Sequence, residues 1–232
     1  MDFKKYIHIE RFGTPEVEGI ERGTCFIMSK LDGTNSNIWL DINGLIKTGS
    51  RSRELTLEKD NFDFYKWTLQ QNNIKEYFEK YPQNRLWGEY LKPHTLKTYR
   101  DDAWNRFWIF DVTKYDENVD TEKFIHYNNY VTTLQEFNLN YIPVSDIIVN
   151  PKMDDFDRVL NRNTFLIKDG CGVGEGIVIK NYEFFNKYGR QTWAKIVLNE
   201  FKEKNLHTFG GIKSQGKTNI EEISKDLKIP LE

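Results

Sequence analysis

Cysteine is nearly absent: the 232-residue chain has only Cys25 and Cys171. Two thiols cannot build the disulfide framework that staples small secreted folds, so reduced cysteines in a cytoplasmic protein are expected. Histidine is almost as scarce, and His8, His94, His126 and His207 lie far apart with no cysteine beside them. That spacing excludes the usual zinc-site patterns. There are six prolines, and no proline- or glycine-rich linker, internal repeat or low-complexity tract breaks the chain. No apolar run approaches the ~20 residues that a membrane helix needs. Met1-Asp2-Phe3-Lys4-Lys5 lacks the apolar core of a signal peptide, so neither membrane insertion nor export is expected. Neither sign of charge dominates: 33 Lys and Arg against 35 Asp and Glu give −2. This excludes a generally basic nucleic-acid coat but leaves room for a local basic groove.

What is present is an apolar, aromatic-rich chain, 38% hydrophobic and 15% aromatic, which argues for a packed core rather than disorder. Its length suits one large domain or two small ones and needs no disulfide or metal to fold. Thr24–Met28 and Ser36–Leu40 read as strands around Asp32-Gly33, and Asn43-Gly44 marks a hairpin turn. Residues 57–80 carry Phe64, Trp67, Ile74, Tyr77 and Phe78 at helical spacing and stop before Pro82. Strands are expected at 85–91, 106–112, 141–149 and 175–181, and strand running into helix at 193–204. A helix is expected over Thr121–Phe137, with Thr121 as its N-cap. The mixture predicts an α+β fold with largely antiparallel sheets.

The most suggestive motif is Lys30-Leu31-Asp32-Gly33. By composition alone K-x-D-G is expected about 0.1 times in this chain, so by itself it is weak, and an ordinary β-turn explains it. Covalent nucleotidyl transfer also needs this arrangement. A neutral lysine amine must attack phosphorus, and a strand end before a tight turn holds it rigidly. Further elements follow in order: Gly49-Ser50-Arg51-Ser52-Arg53, Leu86-Trp87-Gly88-Glu89-Tyr90, Phe107-Trp108-Ile109-Phe110-Asp111-Val112, Glu175-Gly176-Ile177-Val178-Ile179-Lys180 and Trp193-Ala194-Lys195-Ile196-Val197. Singly, each has a plain structural reading: a loop charge for Arg51, an edge charge for Glu89, core for Phe110, strand caps for Lys180 and Lys195. Jointly and in this order, coincidence is improbable.

The ordered set resembles the covalent nucleotidyltransferase superfamily of ATP-dependent ligases and capping enzymes, and within it the T4 RNA ligase 2-like family, over Lys30 to about Lys204. The resemblance implies an adenylyltransferase domain related to the ATP-grasp fold, with antiparallel sheets and flanking helices, over 1–204. A short basic tail at 205–232 follows, without an OB domain. It implies Lys30 as the nucleophile that takes AMP, and Arg51 on phosphate. Glu89 is implied on the ribose hydroxyls, Phe110 stacked on adenine, and Lys180 and Lys195 on the ATP phosphates. Glu175 is implied at the catalytic metal, Mg2+ or Mn2+. Asn35, five residues after the nucleophile where DNA ligases usually carry arginine, points to RNA, and Arg53 is placed with it on the nucleic acid. The implied reaction joins RNA 3′-OH and 5′-phosphate ends, in a nicked duplex or single strands, by a monomeric enzyme using ATP.

Three features depart from that family. Asp32 stands where its members often have histidine, and the last motif has Ile196-Val197 after Lys195 in place of a second lysine, leaving Lys202 or Lys204 as substitutes. Little chain follows Lys204. A small DNA-nick ligase, a capping enzyme and a non-catalytic nucleotide-binding module are the rival expectations. Gly211–Thr218 matches the P-loop pattern, but the polar stretch before it and the 14 residues after it leave no room for the required sheet. The alternating Gly170, Gly172, Gly174 and Gly176 do not meet the dinucleotide fingerprint and lead into a strand rather than a helix. Residues 184–217 hold seven Lys and Arg against two acids, either a solvated face or a polynucleotide groove.

Overall fold

The computed structural model describes residues 1–93 and 98–198. His94, His207, the helix expected after the strand at 193, Lys202, Lys204, the P-loop-like Gly211–Thr218 and the tail at 205–232 lie outside the described residues. The described strands are β1 (Glu10–Arg11), β2 (Thr24–Lys30), β3 (Thr34–Leu40), β4 (Ile46–Ser50), β5 (Asn84–Leu91), β6 (Arg106–Asp116), β7 (Thr121–Phe124), β8 (Val144–Val149), β9 (Gly176–Lys180) and β10 (Ala194–Val197). The helices are α1 (Phe64–Leu69), α2 (Asn72–Lys80), α3 (Tyr127–Glu136) and α4 (Met153–Asn161). The chain divides into two units. Of the described residues, the first gathers Met1–Tyr6, Asp32–Pro93 and Ala103–Ile142; the second gathers Ile7–Leu31, 98–102 and 143–198.

The first unit is built on the sheet β4-β3-β5-β6-β7, antiparallel throughout. Ile38, Leu86, Tyr90, Phe107, Ile109 and Val112 alternate onto one face and pack with Phe64, Ile74, Tyr77, Phe78, Tyr130 and Leu134 from the helices. The expected hairpin is present: the Asp41 carboxylate accepts from Asn43 N and Leu45 N, and Gly44 has φ +74°. The helical stretch at 57–80 is two helices, because Gln71 is extended and its side chain donates to the Trp67 carbonyl. The helix expected from Thr121 begins later. Thr121–Phe124 instead pairs with Thr113–Asp116 as an edge strand, and His126 caps α3 by accepting from Asn128 N. Tertiary pairing along β6 thus overrides the local helical pattern.

The second unit carries the sheet β1-β10-β9-β2-β8, antiparallel except for the parallel β1–β10 pair. Cys25, Ile27, Ile177, Ile179, Ala194 and Ile196 face a core completed by Phe12, Val17, Ile20 and the α4 residues Phe156, Val159 and Leu160. Helix α4 was not expected from the sequence, although Phe156, Val159 and Leu160 have the i, i+3, i+4 spacing that signals it. Together the two sheets and their flanking helices are the expected α+β architecture.

Candidate active site

In the second unit the antiparallel register decides which side chains meet. Phe26 pairs with Lys180, Met28 with Val178 and Lys30 with Gly176, while Lys195 also pairs with Val178. Directly opposed residues share a face, and so do residues two apart along a strand. Lys30, Lys180 and Lys195 therefore project from one face of this sheet, opposite the face that Cys25, Ile27, Ile177 and Ile196 give to the core. Glu175, one residue before β9, meets the end of β2: Lys30 Nζ donates to Glu175 Oε2 at 2.5 Å. Both side chains are mostly covered, 25% and 14% exposed. Lys180 is deeply buried, with Nζ 5.6 Å from the centre of the Trp193 ring. Three cations and one carboxylate on a single rigid sheet suit the binding and charge neutralisation of a polyphosphate.

The first unit carries the remaining candidates. Asn35 and Glu89 are directly opposed on β3 and β5, and Glu89 Oε1 accepts from Gly33 N at 3.1 Å. The Asn35 side-chain oxygen is buried and has no hydrogen-bond partner among the described residues. An acceptor left this way in a polar setting fits a ligand hydroxyl or amine. Gly33 does not serve a left-handed turn. Its need is close approach: an added Cβ would lie 2.6 Å from the Leu91 side chain and 2.9 Å from the Tyr90 carbonyl. The motif Lys30-Leu31-Asp32-Gly33 itself runs from one unit into the other after Leu31.

Phe110 owes its placement to a β-bulge. The β5–β6 register jumps from Trp87–Asp111 to Gly88–Ile109, which leaves Phe110 as the extra residue. Bulges re-aim side chains in this way. Phe110 is half-buried, and its ring meets the edge of Tyr6 at 5.0 Å between centres. Tyr6 also packs on Trp87 and donates its hydroxyl proton to the buried Asp111 carboxylate. This support by a residue about a hundred positions upstream carries no sequence signal. Arg51 is exposed in the loop after β4. Arg53, expected on the nucleic acid, directs its guanidinium to the carbonyls of Glu54, Lys59 and Asp60.

Among the described residues no group of three or more His, Cys, Asp or Glu side chains is arranged to hold a metal ion. Glu175 offers one carboxylate. That donor fits Mg2+ or Mn2+, since such ions in phosphoryl transfer are commonly held by one or two carboxylates plus substrate phosphates. No helix among the described residues is long and apolar enough to cross a membrane.

The model of a protein family described as RNA ligase matches residues 23–197. A comparison with curated proteins finds none that matches. Among solved structures, an apo mutant of a Naegleria gruberi RNA ligase is 17% identical, with a TM-score of 0.65 over 87% of this chain and 58% of that one. An archaeal ATP-dependent RNA ligase is 14% identical, with a TM-score of 0.66 over 89% of this chain and 51% of that one. A putative ATP-dependent DNA ligase from Aquifex aeolicus is 16% identical, with a TM-score of 0.58 over 84% and 50%. The Naegleria enzyme is also known with ATP and Mn. The chain thus spans little more than half the length of the solved proteins that it matches, and at these identities the likeness is one of fold.

Proposed function

The chain belongs to the RNA ligase family, and from that premise we propose that it is an ATP-dependent ligase that joins RNA ends through a lysine–AMP intermediate. The observation that carries the reading is the Lys30–Glu175 pair at 2.5 Å on the sheet face shared with Lys180 and Lys195. Lys30 Nζ attacks the α-phosphate of ATP: the N–P bond forms, the bond to the pyrophosphate oxygen breaks, and the Glu175 carboxylate lies within reach of the lysine proton. Lys180, Lys195 and Arg51 take the phosphate charge. A divalent cation, when bound, adds Lewis-acid neutralisation, with Glu175 as the residue that would hold it. In the first unit Glu89 takes the ribose hydroxyls and Phe110 the adenine.

AMP then passes from Lys30 to an RNA 5′-phosphate, and the 3′-OH displaces it as the new phosphodiester forms. Every step is an in-line displacement at phosphorus, so positioning and charge neutralisation supply most of the acceleration. The unpartnered acceptor of Asn35 suits a 2′-hydroxyl, the group that distinguishes RNA from DNA. It supports a place in the T4 RNA ligase 2-like branch. Asp32, the residue that DNA ligases use at that position, favours a second reading, DNA-nick sealing.

Incubation with ATP and Mg2+ is expected to add one AMP, mapped by peptide mass to Lys30 and absent from Lys30→Ala. Sealing is then measured on a panel of nicked and single-stranded RNA, hybrid and DNA substrates. An adduct that survives Lys30→Ala overturns the reading, and equal rates on all-DNA and RNA-containing nicks favour the second.

A further inference from the structure

The backbone leading to Glu175 includes two permissive glycines. Gly170 and Gly172 have φ of +74° and +84°, and a Cβ at either would touch nothing within 4 Å among the described residues. Permissive backbone of this kind costs conformational entropy to order, so a carboxylate placed there needs an anchor. The anchor is Asn163, two residues past α4 and almost fully buried. Its main-chain carbonyl accepts from Gly174 N at 2.8 Å. Its Nδ2 donates to the Gly176 carbonyl at 2.7 Å. The residues on both sides of Glu175 are thereby tied to one residue, Gly174 by its main chain and Gly176 by its side chain. Its Oδ1 accepts from Ser29 Oγ at 2.6 Å, and Ser29 is the residue before Lys30. Asn163 is itself seated by α4, donating its N–H to the Leu160 carbonyl at 3.2 Å.

We propose that Asn163 is a positioning residue that holds Lys30 and Glu175 in register with each other from the core side of the sheet, so that lysine and carboxylate meet before ATP arrives. The inference rests on the function proposed above. Ser29 points away from the lysine face because it alternates with Met28 and Lys30, and this places its hydroxyl where Asn163 can reach it. One amide thus makes a donor contact on the carboxylate side and an acceptor contact on the nucleophile side. No exposed residue could do this without competition from water. Gly174 belongs to the same arrangement, since a Cβ there would approach Asn163 Nδ2 to 3.0 Å.

The experiment is single-turnover formation of the lysine–AMP adduct over a range of ATP concentrations, with thermal unfolding of each variant measured alongside. Asn163→Asp keeps the acceptor for Ser29 but faces the Gly176 carbonyl with an oxygen, so it loosens the Glu175 side alone. Ser29→Ala loosens the Lys30 side alone. Asn163→Ala loosens both. Each is expected to lower the maximal adenylylation rate, by about tenfold to hundredfold for Asn163→Ala, because small displacements of reacting groups have effects of that size. The ATP concentration for half-maximal rate is expected to stay within about twofold, since neither residue touches the nucleotide. Should Asn163→Ala fail to fold, Asn163→Asp and the milder Ser29→Ala decide. Rates that fall only with the folded fraction, or a raised half-maximal ATP concentration at unchanged maximal rate, overturn the proposal. If Lys30→Ala still takes AMP, the function itself fails; if Lys30→Ala is inert while the Ser29 and Asn163 variants match the parent, this inference alone fails.

Discussion

Asn35 and Glu175 are both polar side chains near the nucleophile in sequence or space, yet they should act at different steps. Only contacts that strengthen in a given transition state speed that step. Glu175→Ala is expected to abolish adduct formation, because the partner of Lys30 is gone. Asn35→Ala is expected to form the adduct but pass AMP to 5′-phosphorylated RNA about tenfold to hundredfold more slowly, the effect of one lost polar contact. Pulse formation of the adduct followed by a chase with RNA separates the two, and equal blocks on adduct formation would make Asn35 a support of the turn instead. The cysteines make a second residue-scale contrast. Cys25 is fully buried, and burial pushes its thiol up to about 12, whereas Cys171 is partly exposed. A thiol reagent at pH 8 is expected to label Cys171 in the native protein and Cys25 only after unfolding.

At the scale of elements, the joint between β9 and β10 bears most directly on the site. Gly176 pairs with Val197, and a Cβ there would lie 2.1 Å from the Ile196 carbonyl oxygen. Gly176→Ala is therefore expected to push the strands apart, lower the melting temperature by several degrees and displace Glu175, so that adduct formation falls in protein that remains folded. On the first unit's sheet, buried Arg85 lies over the Trp39 and Trp87 rings and donates to Glu122, Asn37 and the Asp2 carbonyl. Burial alone would push the Glu122 carboxyl up, but the hydrogen bonds and charge of Arg85, with Thr113 and Lys4, hold it below the ordinary glutamate value. Such a depressed group contributes stability above its unfolded pKa, and this is lost as pH falls through the folded one. The parent is thus expected to lose stability below about pH 4. Glu122→Gln should flatten that acid limb and, by leaving Arg85 without its anion, cost about 3 kcal/mol at pH 7. Denaturant unfolding across pH reads both, and an unchanged acid limb would mean that other carboxylates govern it.

For the whole molecule, each unit is woven from separate stretches of chain around its own apolar core, so stability is expected not to depend on a bound ion. Chelation of divalent cations is expected to stop AMP transfer to Lys30 while leaving the melting temperature within a degree or two, and Mg2+ or Mn2+ should restore the reaction. A large fall in melting temperature on chelation would make the metal structural instead. ATP should raise the melting temperature of Lys30→Ala, which can bind the nucleotide but not consume it, by simple linkage.

Much of this protein was legible in the sequence because the signals were local. Short apolar stretches marked β2, β3, β5, β6 and β9, Asn43-Gly44 marked its hairpin, and the ordered run from Lys30 to Lys195 carried the resemblance to the ligases. Local patterns could not say that Thr121–Phe124 would leave a helical reading to complete the edge of β6, because the decision lies in backbone groups exposed by a neighbouring strand. Nor could they show that Gly33 is required by contact with β5, that a bulge turns Phe110 toward Tyr6, or that Arg53 is occupied by its own loop. Lys30 and Glu175 are 145 residues apart, and only the register of β2 on β9, fastened beneath by Asn163, makes them neighbours. Residue type and order follow from the chain alone. Which side chains share a face depends on strand register, and register is set by burying one whole face of each sheet at once.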